Sequence, residues 1–185
     1  MKTIITLAFG LFVFNTMSAQ ESTPAAETET SPKYILSVGT NFINNDGTIL
    51  PFDRFPTFDW QYAFNYVSLE RTLKNKWSVE VVGSVNRFDL TKTKNSSYFS
   101  GDANAKYNFG KHFIKSNKFD MYAFAGGGLF AVEREIYPAI NAGGGLRYWF
   151  TDHIGINYQG YGKVTADETI GSFYQHVFMV NIMID

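Results

Sequence analysis

The chain has 185 residues, a length typical of one domain, and it contains no cysteine, which excludes disulfide scaffolds, thiolate metal centres, cysteine nucleophiles and lipoprotein anchors. Its formal net charge is -1, so no basic field is present to hold nucleic acid, and we expect no nucleic-acid partner. Aromatic residues make up 17% and charged residues 18% of the chain, a balance that favours many strands.

The first twenty residues have the parts of a secretory signal peptide. Lys2 gives a positive start, residues 4–14 form an apolar core, and Ser18-Ala19-Gln20 places small residues at a cleavage point. This core is too short for a transmembrane helix, which needs about 20 apolar residues. We therefore predict a signal peptide over residues 1–20 and an exported mature chain.

A short polar segment follows the predicted signal peptide. Residues 21–32 contain three Glu, two Pro and no large apolar side chain. A segment of this composition buries too little apolar surface to order itself. We therefore predict a flexible periplasmic leader over residues 21–33, and a single folded domain over residues 34–184.

From Tyr34 onward, apolar and polar residues alternate with a period of two, as they do in strands with one apolar face. For example, Val79 and Val81 alternate with Ser78 and Glu80. The pattern predicts eight strands, over residues 34–43, 60–73, 77–86, 98–109, 119–130, 139–150, 154–163 and 173–184. Most of them reach the roughly 9–11 residues that span a membrane, whereas ordinary strands average about 5–6.

The predicted connections alternate between long and short. Long polar connections follow the odd-numbered strands, at residues 44–59, 87–97, 131–138 and 164–172. Short turns follow the second and sixth strands at residues 74–76 and 151–153, whereas residues 110–118 are long for this side. Short periplasmic turns and longer outer loops are typical of outer-membrane barrels. We therefore predict an all-β fold, an eight-stranded antiparallel up-and-down transmembrane β-barrel in the bacterial outer membrane.

A water-soluble eight-stranded barrel of the lipocalin type has the same alternation with the opposite facing, because its apolar residues point inward. Alternation alone does not say which set of side chains points inward, so the decision rests on which set is continuous. The apolar set contains no charge, whereas the polar set includes Glu80, Asp102, Lys106 and Arg147. We expect the apolar set to face lipid, because hydrocarbon does not solvate charges.

Two stretches are similar to a known family. Residues 146–162 (LRYWFTDHIGINYQGYG) with residues 174–178 (YQHVF) resemble the last three strands of bacterial OmpA-like outer-membrane barrels, and residues 77–86 (WSVEVVGSVN) resemble the third. The resemblance implies an outer-membrane barrel in contact with lipid. Many such proteins carry a peptidoglycan-binding domain after the barrel; this sequence stops at Asp185, so that function is not transferred. Family members also tend to end in an aromatic residue, whereas this sequence ends in Ile184-Asp185.

Four charged residues of the polar set are predicted to meet inside the barrel. Glu70 and Glu80 lie at equal distances from Asn75, and Arg147 and Lys106 lie at a similar height above their own turns. Two facing carboxylates repel each other, and the two cations can neutralise them. We therefore predict a structural charge layer of Glu70, Glu80, Lys106 and Arg147 that closes the lumen.

Other candidate sites are weaker. The glycine triplets at 126–128 and 143–145 lack the Lys-Ser/Thr of a phosphate loop, and a hairpin turning at 134–135 would place Gly126 opposite Gly143. A metal site would need convergence of three scattered histidines, His112, His153 and His176. A lipid-modifying hydrolase would use Ser172 and His176 with Asp167 or Glu168. We predict no catalytic, cofactor or metal residues and no cofactor.

The predicted function is structural or surface-interactive rather than enzymatic, in a barrel plugged by its own side chains. A narrow porin-like channel is the first alternative, and an outer-membrane lipid-modifying hydrolase is the second. The predicted partners are outer-membrane lipid and a surface partner reached through loops 44–59, 87–97 and 164–172. The first of these loops carries Phe52, Phe55 and Phe58. We expect a monomer.

Overall fold

The computed structural model describes residues 33–44, 64–74, 76–91, 94–110, 116, 118–167 and 170–184. These residues form one closed antiparallel barrel in which neighbours in the chain pair and the last strand pairs with the first. The strands are β1 (Tyr34–Asn44), β2 (Tyr66–Thr72), β3 (Trp77–Thr91), β4 (Lys94–Asn108), β5 (Phe119–Val132), β6 (Glu135–Trp149), β7 (Ile154–Thr165) and β8 (Phe173–Ile184). The predicted all-β fold with eight strands is confirmed. The predicted signal peptide, and the leader apart from Lys33, lie outside the described residues.

The apolar side chains of the alternating pattern coat the outside of the barrel. Val79, Val81 and Ile156 are 45%, 62% and 48% exposed, although all three lie within long paired strands. Their polar neighbours Ser78 and Asn157 are buried inside. A lipocalin-type barrel requires the opposite facing, so the water-soluble alternative is wrong for this chain. None of the described segments is a helix with the length and hydropathy needed to cross a membrane.

The short turns, the start of β1 and the end of β8 all lie at the same end of the barrel. Leu73 and Trp77 close the β2–β3 turn, and Phe150 and Ile154 close the β6–β7 turn. Tyr34 pairs with Ile184, so β1 starts where β8 ends. This is the end that the sequence pattern assigns to the periplasm.

Two of the predicted outer loops are instead strand. The β3–β4 ladder continues to the pair of Thr91 and Lys94, so most of residues 87–97 is paired. The β5–β6 ladder runs to Val132 and Glu135, and the turn consists of Glu133 and Arg134. The prediction took polar composition as a sign of a loop. Beyond the apolar belt, however, a strand can carry polar side chains on both faces and still be paired.

The remaining predicted loops have different outcomes. β7 ends at Thr165 and β8 begins at Phe173, close to the predicted connection at 164–172. β2 begins at Tyr66 rather than at residue 60. Residues 45–63 of the first loop, including its three phenylalanines, lie outside the described residues.

Candidate functional site: the barrel lumen

The structure brings the four predicted lumen charges together near the periplasmic end. Glu70 pairs with Glu80 across the β2–β3 hairpin. Lys106 Nζ lies 3.1 Å from Glu70 Oε2 and 2.7 Å from Glu80 Oε1, and an Arg147 terminal nitrogen lies 2.6 Å from Glu70 Oε2. All four side chains are at least nine-tenths buried. Two cations therefore neutralise two carboxylates that face each other.

Neutral polar groups complete the contacts of the two carboxylates. Ser78 donates a hydrogen bond of 2.7 Å to Glu70 Oε1, and Asn104 donates one of 3.2 Å to Glu80 Oε2. These donors come from β3 and β4, which also carry Glu80 and Lys106. Buried charges are tolerated when they are both paired and hydrogen-bonded, and the described contacts provide both.

Aromatic rings enclose the two cations. The Lys106 Nζ lies 4.7 Å from the centroid of the Tyr122 ring, and the Arg147 guanidinium carbon lies 5.5 Å from the same centroid. On another side, Trp149 places its ring 5.6 Å from that guanidinium carbon. Cation–π contacts of this length stabilise a desolvated cation. Trp149 points into the lumen and is 6% exposed.

A second ion pair, which the sequence analysis missed, lies further from the periplasmic end. Lys163 Nζ is 2.9 Å from each carboxylate oxygen of Asp102, and it donates a 3.1 Å hydrogen bond to the Tyr98 hydroxyl. Asn141 donates a 3.0 Å hydrogen bond to Asp102 Oδ1. Asp102 belongs to the polar set of the sequence pattern, but its pair with Lys163 joins β4 to β7. Its recognition requires the register of three successive strand pairs rather than of one hairpin.

The middle of the lumen is filled by tyrosines bonded to amides. The Tyr122 hydroxyl donates to Gln159 Oε1 at 2.9 Å and accepts from Asn157 Nδ2 at 2.8 Å. The Tyr161 hydroxyl donates to Gln175. Apolar side chains pack around these groups, namely Val82, Phe124, Val177 and Met179.

Large aromatic rings pack together inside the lumen, towards the end opposite the short turns. Phe88, Tyr98, Phe130 and Phe173 are each less than 2% exposed. Phe173 is the centre, with ring centroids 5.0 Å from Phe88, 5.5 Å from Phe130 and 6.1 Å from Tyr98. Ile43, Val132 and Ala139 complete the cluster. We call this set the outer aromatic layer. The inward phase of Phe173 is certain only once the start of β8 is known.

Glycines on β5 and β6 make room for these lumen side chains. Gly126 pairs with Asn141 and Gly143 pairs with Phe124, so the predicted pairing of Gly126 with Gly143 is wrong. The turn lies at residues 133–134, one position earlier than predicted. A Cβ atom at Gly145 would collide with the Tyr122 ring, so the missing side chain is what admits that tyrosine.

The alternative chemical sites are not assembled in the described residues. His153 is exposed on the β6–β7 turn, whereas His176 lies on the outer wall of β8 and bonds to the Tyr158 hydroxyl at 2.9 Å; His112 lies outside the described residues. No group of three or more His, Asp or Glu that could hold a metal is found in the described part of the chain. Ser172 precedes His176 by four residues, about 13 Å along an extended chain, which is too far for a hydrogen bond.

Comparisons with known proteins identify the same fold. The N-terminal β-barrel domain of Pseudomonas aeruginosa OprF matches with a TM-score of 0.53 and 13% identity, over 83% of this chain and 97% of that domain. Neisserial surface protein A matches with 0.55 and 9% identity, over 84% and 97%. Ail of Yersinia pestis, in complex with the heparin analogue sucrose octasulfate, matches with 0.53 and 13% identity, over 84% and 100%. No protein-family model and no curated protein sequence matches the chain.

At these identities the superpositions show a shared fold, that of the OmpA-like eight-stranded outer-membrane barrels. The facing of the side chains agrees with that fold, because a membrane-spanning sheet must close on itself and present an apolar band to lipid. The chain is therefore a transmembrane β-barrel in its fold class, and the predicted location in the outer membrane is supported.

Proposed function

We propose that this protein is an integral outer-membrane barrel with a plugged lumen, whose role is structural or surface-interactive and not catalytic. The observation that carries the proposal is the filling of the lumen at successive heights. The charge layer of Glu70, Glu80, Lys106 and Arg147 fills the periplasmic part, and the outer aromatic layer fills the opposite part. An eight-stranded barrel has room for side chains and little else.

Conductance in planar bilayers tests the plug against the porin-like alternative. The refolded mature chain is expected to show no ion conductance. Arg147→Ala is expected to stay closed as well, because the outer aromatic layer closes the lumen independently. A narrow porin would conduct, and it would conduct more after Glu80→Ala or Arg147→Ala; that result would contradict the proposal.

A surface partner, if the outer end binds one, is proposed to be neutral or cationic. In the predicted outer loops, residues 44–59, 87–97, 131–138 and 164–172, acids outnumber bases. The acids are Asp46, Asp53, Asp59, Asp89, Glu133, Glu135, Asp167 and Glu168, and the bases are Arg54, Arg87, Lys92, Lys94 and Arg134. Ail is known in complex with a heparin analogue, a polyanion. Sucrose octasulfate is therefore a useful probe. We expect it not to bind this chain, and titration calorimetry that showed tight binding would refute the charge argument.

A further inference from the structure

Basic residues collect at the periplasmic end of β1, β2 and β3. Lys33, Arg71, Lys74 and Lys76 are all exposed, and we call them the basic rim. No acidic side chain other than the lumen residue Glu70 occurs in the described residues 33–44 and 64–74. Asp185 follows Ile184 in the sequence and lies outside the described residues. The basic rim is thus rich in positive charge for a chain whose net charge is -1.

The local backbone fixes these cations at the edge of the apolar wall. Arg71 pairs with Tyr34 on one side and with Val79 on the other, so its side chain shares their outward face. Its guanidinium carbon lies 5.9 Å from the centroid of the Tyr34 ring. The β2–β3 turn carries Lys74 and Lys76 directly below this point.

Apolar and aromatic side chains lie next to the basic rim on the same wall. Leu69 and Val79 are both exposed. Val79 pairs with Arg71 and lies beside it, whereas Leu69 lies two residues further into the apolar belt. Trp77 is exposed and contacts Tyr107 at 5.1 Å between ring centroids. Trp and Tyr prefer the height of lipid headgroups. The cations are therefore at headgroup depth, with hydrocarbon-facing residues immediately above them.

We propose that the outward face of β1, β2 and β3 at the periplasmic end binds an anionic phospholipid of the inner leaflet. Arg71, Lys74 and Lys76 bind the phosphate, and the acyl chains lie along Leu69 and Val79. The proposal rests on insertion of the barrel in a membrane and adds the class of lipid that it selects. Charge complementarity carries it, since each Lys or Arg near a membrane surface attracts anionic lipid. A soluble anion would use the cations alone, whereas a lipid also uses the apolar wall above them.

The test compares lipid selectivity in matched variants. Each protein is reconstituted in nanodiscs of equal amounts of phosphatidylglycerol and phosphatidylcholine, and the retained lipids are counted by native mass spectrometry. The wild type is expected to enrich phosphatidylglycerol about fivefold at low salt. Arg71→Gln with Lys74→Gln is expected to remove most of the enrichment. The control, Arg87→Gln with Arg134→Gln, removes two exposed cations from the opposite end and is expected to retain it.

Other outcomes overturn the inference. No enrichment by the wild type, or enrichment that survives Arg71→Gln with Lys74→Gln, would exclude the site. Equal loss in the control would mean that total charge, rather than this rim, attracts the lipid. If the double variant does not fold, high salt must collapse the wild-type enrichment, whereas inorganic phosphate added at the ionic strength of the low-salt buffer must not. Heat-modifiable gel mobility in neutral lipid alone is a separate readout, and its absence would contradict the proposed barrel function itself.

Discussion

At the scale of single residues, the lumen contains four charged side chains that neutralise one another. Glu70 contacts both Lys106 and Arg147, while Glu80 contacts Lys106. Removing one member leaves an uncompensated buried charge, and this costs more than removing a complete pair. The layer is therefore expected to respond to substitutions as a unit.

Arg147→Ala is expected to destabilise the barrel by roughly 3–5 kcal/mol, because Glu70 loses its shortest ion pair inside the lumen. Thermal unfolding in detergent measures the effect. The double variant Glu70→Gln with Arg147→Met is expected to regain most of the stability, since Lys106 and Glu80 remain a neutral pair. An unchanged unfolding transition for Arg147→Ala would mean that the four charges do not form a structural layer.

Gly128→Ala tests the close approach between β4 and β5. A Cβ at this position would collide with the Gly101 carbonyl oxygen and the Asp102 side chain, so we expect a loss of stability of about 1–3 kcal/mol. Gly101→Ala is the matched control on the adjacent strand, because nothing lies within 4 Å of its added Cβ. Urea unfolding should separate the two variants clearly. Equal midpoints would show that the barrel wall relaxes around the methyl group.

Residue-level prediction from the sequence depends on the length of chain that must be counted. Glu70 and Glu80 can be paired by counting from the turn at Asn75, since one hairpin fixes their register. Asp102 and Lys163 cannot, because three registers lie between them and the β5–β6 turn was displaced by one position. Phe173 follows a connection whose length leaves its phase undetermined.

At the scale of elements, the period of two predicts where each strand crosses the belt, but it does not predict where the ladder stops. The predicted and observed bounds of β8 agree at Phe173 and Ile184, because apolar residues continue to both ends. β3 and β4 extend beyond their predicted outer bounds to Thr91 and Lys94. Above the belt the facing rule no longer applies, and backbone pairing continues without an apolar signal.

The β5–β6 turn offers an element-scale prediction. Glu133 and Arg134 have φ values of 53° and 75°, a conformation that non-glycine residues rarely adopt. Arg134→Gly is expected to stabilise the hairpin by about 1 kcal/mol, because glycine adopts this conformation without a steric cost. Arg134→Pro is the opposing control and is expected to destabilise it, since proline fixes φ near -65°. Chemical denaturation gives both values, and a destabilised Arg134→Gly would contradict the turn geometry.

At the scale of the whole molecule, the fold inverts the usual distribution of a soluble protein. Ion pairs and amides occupy the centre, whereas valine, leucine and isoleucine cover the outside. This arrangement is stable only when hydrocarbon surrounds the barrel, because such an apolar surface in water would drive association. The proposed plug and the lipid-facing wall are therefore parts of one proposed role, in which the protein acts through its surfaces.

The depth of outward positions in a bilayer tests the central claim most directly. The chain has no cysteine, so single spin labels can be placed by Val81→Cys, Ile156→Cys and, at the outer turn, Arg134→Cys. In vesicles the first two labels are expected to be accessible to oxygen and shielded from a water-soluble nickel complex, and the third to be accessible to nickel. Nickel access at Val81 and Ile156 equal to that at Arg134, or access to neither reagent, would contradict a lipid-facing exterior.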